Sequence, residues 1–184
     1  MSKQKKIRAW HFVRDDKRLG YDAEDLTVEP GYIYTTDSTP VLCQSGLHAS
    51  RRVVDALKYA PGAYLCVVDV WGEVAEGDDK LVGTNRHVIA AADVTRELRL
   101  FACWCVRRQW HLLTDERSRR AIEEAEAHAN GLASKDELAA ARDAAWDAAM
   151  AAAWDAAWDA ERKAQADELE RIMREKFGLE AAHD

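Results

Sequence analysis

The stretch GLHASRRVVDALKYAPGAYLCVVDVWGEV, residues 46–74, decides the fold. Val53, Val54, Leu57 and Ala60 recur at helical spacing behind Ser50, a residue suited to an N-cap, and Pro61-Gly62 stops the helix. The run AYLCVVDVWG that follows is apolar except for Asp69 and reads as a buried strand. A turn, a helix and a strand thus follow one another without spare residues.

Upstream, IRAWHFV (residues 7–13) alternates, with Ile7, Ala9, His11 and Val13 on one side and Arg8, Trp10 and Phe12 on the other. Both sides carry large apolar groups, so this strand is expected to be central. Pro30-Gly31 reads as a turn before a strand at Tyr32, Ile33, Tyr34 and Thr35; a second turn at Ser38-Thr39-Pro40 precedes a short strand, VLCQ. Downstream, Gly77-Asp78 turns the chain into LVGTNRHVIAA, one or two further strands. The expected class is α+β: a mostly antiparallel sheet with one crossing helix, followed by a long C-terminal helical region, a hairpin or bundle. The expected domains are an α+β core over 1–113 and a helical, Ala/Trp-rich region over 114–184.

In the second half, Asp93 or Thr95 can cap a helix running to about Leu113, expected to pack on the sheet. Thr114 can cap another that Gly131 ends, and Ser134 with Glu137 makes a capping box. From there to Phe177 no Pro or Gly intervenes; about forty residues at 1.5 Å each would make a helix of about 60 Å. Arg142, Trp146, Met150, Trp154 and Trp158 recur every fourth position among alanines. A four-residue step advances 400°, so the row drifts by about 40° per repeat and is no heptad seam. Exposed, such a row favours a second copy, which makes Trp146, Met150, Trp154 and Trp158 the expected homo-oligomer interface.

A net charge of -7 with 32% charged residues argues against general affinity for nucleic acid. No apolar run reaches the roughly 18 residues of a membrane helix, and MSKQKKIRAW has basic residues without a signal-peptide core, so a cytoplasmic protein without membrane contact is expected. Cys43, Cys66, Cys103 and Cys105 lack C-x-x-C spacing and read as buried free thiols.

Site candidates gather around the opening stretch. His48 precedes the helix start, and Arg51 and Arg52 in the first turn oppose the macrodipole, which an anionic ligand would offset. His11, Tyr32 and Tyr34 can converge with His48 at one edge of the sheet. Asp78, Asp79 and Lys80 with Arg86 and His87 form a second polar cluster; two adjacent Asp without further oxygen ligands fit a turn better than a metal site, so no metal is expected. The ligand-binding candidates are therefore His48, Arg51, His11, Tyr32, Tyr34, Asp79, Lys80 and Arg86. Signatures for phosphate loops, dinucleotide folds, zinc proteases and serine hydrolases are absent.

GLHAS, the strand ending in WGEV and DDKLVGTNRHVI resemble a domain found in bacteriophage and prophage proteins, over roughly residues 5 to 100, whose members often carry low-complexity tails. The resemblance implies phage origin and no established activity; action on a host component, anti-defence being one form, is the expectation built on it. A fainter similarity is to ADP-ribosyltransferases, through His11 on the first strand, Tyr32 or Tyr34 on the second, the Gly-Leu-His-Ala-Ser segment, Tyr59-Ala60 and Gly72; it implies NAD as cofactor. The expectation is a binding protein without a cofactor, its partner a host protein or a nucleotide-type ligand. An NAD-using transferase and a purely structural oligomerising scaffold are the alternatives.

Overall fold

The computed structural model describes residues 5–19, 26–132 and 158–179. The chain has an α+β fold, an antiparallel sheet with its longer helices on the C-terminal side. It divides into two compact units: Met1–Val94 with Met173–Asp184, and Thr95–Ile172.

The first unit is built on a hairpin of two 13-residue strands, β4 (Tyr64–Glu76) and β5 (Leu81–Asp93). β1 (Ile7–Val13) pairs with β4; β2 (Ile33–Thr35) and β3 (Leu47–Ala49) pair with β5; all of these pairings are antiparallel. Asp69, the one charge inside the apolar run of β4, lies opposite Arg8 and accepts a hydrogen bond from its Nε at 2.7 Å.

Directly after β3, Ser50 exchanges two backbone hydrogen bonds with Trp10 of β1, at 2.7 and 2.9 Å. Residues 47–50 therefore touch β5 on one side and β1 on the other, and close the sheet on itself at that corner. The enclosed face carries Ala9, Val13, Val28, Tyr34, Ala49, Cys66, Val68, Val70, Leu81 and Val88, all buried. Each Val or Leu buried in full contributes about 1.5–3 kcal/mol.

On the alternate positions of β1 and β4, Trp10, Phe12, Leu65 and Val67 are buried as well, as the two-sided alternation of IRAWHFV predicts. α1 (Val53–Leu57) lies along β1, and the ring of Phe177 stands 5.9 Å from that of Trp10. At five residues α1 is shorter than the sequence suggests. Ser50 is engaged in the bridge to Trp10, and the N-cap is Arg52, without a side-chain cap.

VLCQ is no strand. Val41 and Ser45 bridge each other across a tight turn in which Cys43 takes φ 64°, and its thiol is exposed. Gly46 follows at φ +101°, where a Cβ would meet Val82 Cγ2 at 2.6 Å, so only glycine fits the step from turn to strand.

In the second unit, α2 (Thr95–Arg108), a 3-10 turn at Trp110–Leu112 and α3 (Glu116–Ala129) bury Cys103, Val106, Leu113 and Ile122 together. The packing partner of α2 is α3. Asp115, one residue after the expected Thr114, caps α3 by accepting from the Arg117 amide, and Gly131 follows at φ +74°. Arg107 forks Glu126, and its guanidinium and that of Arg119 both lie over the Trp110 ring. α4 (Trp158–Lys176) is the last helix among the described residues, and Arg108 reaches Glu161 on it at 2.8 Å. Trp146, Met150 and Trp154 lie outside the described residues, and of Trp158 only the backbone is described. No helix among the described residues is long and apolar enough to cross a membrane.

Candidate functional site: a buried arginine inside the sheet

Strand register gathers the polar groups of the first unit. Arg86 on β5 stands opposite Val70 on β4 and Tyr34 on β2, and His11 on β1 stands opposite Cys66 on β4. Directly paired residues share a face. Because Val70, Tyr34 and Cys66 belong to the enclosed core, Arg86 and His11 project into the same interior.

Arg86 is 3% exposed. Its Nη1 donates to the His48 carbonyl at 2.8 Å, and its guanidinium carbon lies 5.8 Å from the centre of the Tyr34 ring. Its Nε–H has no hydrogen-bond partner among the described residues. Burial brings its pKa down to about 10, and the two groups that act in the other direction are the Cys66 thiol and the Tyr34 phenol. No carboxylate among the described residues balances it. A buried cation in that position costs several kcal/mol of desolvation that a carboxylate partner would normally offset.

The groups around it are neutral at pH 7. Burial, and then the charges of Arg86 and His48, hold the His11 imidazole well below its ordinary pKa. His11 as a whole residue is half-buried. Burial also pushes the Cys66 thiol up to about 11, and raises the Tyr34 phenol, whose hydroxyl donates to the Thr27 carbonyl at 3.0 Å.

The remaining candidates lie toward the rim. Both ring nitrogens of His48 are engaged: Nε2 accepts from the Cys43 amide at 3.0 Å, and Nδ1 faces the Gly46 carbonyl at 3.2 Å. That pattern requires a proton on Nδ1 and none on Nε2, the neutral tautomer. Burial lowers the His48 pKa, as do the charges of Lys80 and Arg86. The imidazole therefore staples the 41–46 turn, while the carbonyl of the same residue holds Arg86.

Arg51 forks the Glu76 carboxylate through Nε and Nη2, at 2.8 to 3.1 Å, so the charge that offsets it at the helix start is its own neighbour. Lys80 lies 4.0 Å over the Tyr59 ring and 3.1 Å from Cys43 Sγ, and Tyr59 donates to Asp79 at 2.7 Å. Tyr32 is exposed and packs its ring against Tyr34 at 4.7 Å. The structure thus brings His11, Tyr34, Arg86 and the backbone of His48 together, and leaves Arg51, Asp79 and Lys80 in surface ion pairs or ring contacts. Sequence reasoning missed Cys66 beside His11 and Tyr59 beside Lys80.

The model of the domain of unknown function DUF7666 matches residues 7–99, just over half of the chain. The chain belongs to this family. No curated protein and no solved structure matches it. The DUF7666 match takes in all of β1 to β5, and with them every residue around Arg86.

Proposed function

We propose that this chain is a binding protein of phage origin that acts on a host component, and that its DUF7666 domain takes up an anionic ligand on Arg86. One observation carries the reading: a guanidinium 3% exposed, with an unpaired Nε–H and no carboxylate beside it among the described residues. Buried charges in proteins are ordinarily paired or hydrogen-bonded in full. A partner that arrives from solution supplies what the fold omits. The phage setting rests on the resemblance of the GLHAS and DDKLVGTNRHVI segments.

The test is a thermal-shift and calorimetric screen of the full chain against small organic acids, inorganic phosphate, nucleotides and NAD, run in parallel on Arg86→Met. An anion that binds the folded state raises its melting temperature in proportion to ln(1 + [L]/Kd), and Arg86→Met abolishes the rise. If no anion stabilises the unmodified chain, the reading fails. A response that survives in Arg86→Met moves the site elsewhere.

A further inference from the structure

We propose that the anion held by Arg86 is a singly charged carboxylate of a small organic acid, and not a phosphate group. The inference rests on the reading of Arg86 as receptor and narrows it by charge. Nη1 is committed to the His48 carbonyl, which leaves the side-on edge, Nε with Nη2, as the part of the guanidinium free to meet a ligand. That edge presents two parallel N–H donors, which match two oxygens of a carboxylate or of a phosphate alike.

Charge separates the two. Among the described residues Arg86 is the single formal cation that the enclosed face presents, because His11 and His48 are neutral at pH 7 and Lys80 is engaged outside with Tyr59 and Cys43. One guanidinium balances one carboxylate. A phosphate monoester brings a charge of about -1.5 to -2 at pH 7 and would remain in excess in the interior. His11, on the same face, adds one neutral N–H donor for a carboxylate oxygen, and Val68, Val70 and Val88 suit an apolar remainder.

The experiment follows the Arg86 Nε–H resonance in the full chain labelled with ¹⁵N-arginine, assigned through its own backbone and checked by its disappearance in Arg86→Lys. Sodium acetate and sodium phosphate are titrated at constant ionic strength. Acetate is expected to move the resonance saturably and phosphate not. Arg86→Lys keeps the charge but loses the fork, and should weaken acetate stabilisation in thermal melts by about tenfold, equivalent to 1.4 kcal/mol. His11→Phe should weaken it by a smaller factor.

Saturation by phosphate at lower concentration than acetate would overturn the carboxylate assignment and leave Arg86 as an anion receptor. An Arg86 resonance indifferent to both anions, in a chain that no other organic acid or nucleotide stabilises, would overturn both. Should Arg86→Lys fail to fold, the titration of the unmodified chain still decides, because it needs no variant.

Discussion

Arg51 and Arg86 bring the same side chain into opposite surroundings in one domain. Arg51 stands at the surface with the Nε–Nη2 edge of its guanidinium filled by a forked carboxylate, Glu76. Arg86 is enclosed by Val70, Tyr34 and Cys66, meets one backbone carbonyl, and keeps an N–H unpaired. Surface position gave Arg51 solvent and a partner, so its energetic role is small. Enclosure gave Arg86 neither solvent nor a carboxylate among the described residues, so it is the residue whose presence the fold itself does not explain.

The strongest way to break this comparison is Arg86→Met. If the guanidinium serves a ligand and not the fold, an apolar side chain of similar length should raise stability by about 1–4 kcal/mol, as replacement of buried charge often does, while the anion response is lost. Urea denaturation measures the first and thermal shift the second. A loss of stability would make Arg86 a structural group and remove the contrast.

Next in size is the staple between the two arginines. His48→Ala removes the acceptor of the Cys43 amide and the partner of the Gly46 carbonyl, and should cost about 1–3 kcal/mol. The anion response should persist, because the His48 carbonyl that positions Arg86 belongs to the backbone. If the response vanishes in a folded His48→Ala protein, the ring and not only the backbone sets the site.

Acidification probes both histidines together. Their folded pKa values lie below the ordinary value of about 6.5, so the unfolded chain binds more protons as pH falls. Stability should be level above about pH 7, then decline from about 6.5 down to the folded values. Urea midpoints across that range check the sign, and His48→Gln should reduce the slope. A chain that gains stability on acidification would show that one of the imidazoles is held as the cation.

Much of the frame was legible from local pattern. The alternation of IRAWHFV fixed both faces of β1, and the apolar run 63–72 marked β4, because each pattern is read within one strand. What escaped is non-local. Ser50 looks like an N-cap and serves as a bridge to Trp10, a partner far away in the chain. Cys43 sits between apparent strand residues, yet the His48 ring and Gly46 hold it in a turn. Arg86, flanked by Asn85 and His87, reads as part of a polar edge; its interior position follows only from register against β4 and β2 and from the corner that closes the sheet. The site is therefore a product of pairing, and its members looked ordinary one by one.

The smallest expected effect belongs to Arg51. Its ion pair with Glu76 has side chains 55% and 43% exposed, where water and salt screen most of the attraction. Arg51→Ala should cost about 0.2–1 kcal/mol at low salt and less at high salt, since exposed pairs in high dielectric contribute no more than that. Its helix has five residues, so the macrodipole that it opposes is weak, and the two effects of removing it partly cancel. Acetate and phosphate responses should be those of the unmodified chain. Urea denaturation at two salt concentrations reads the first quantity and the Arg86 Nε–H titration the second. A loss of anion binding in Arg51→Ala would reverse the comparison: Glu76 would then be a gate that releases Arg51 to the ligand, and the surface arginine, not the enclosed one, would carry the function.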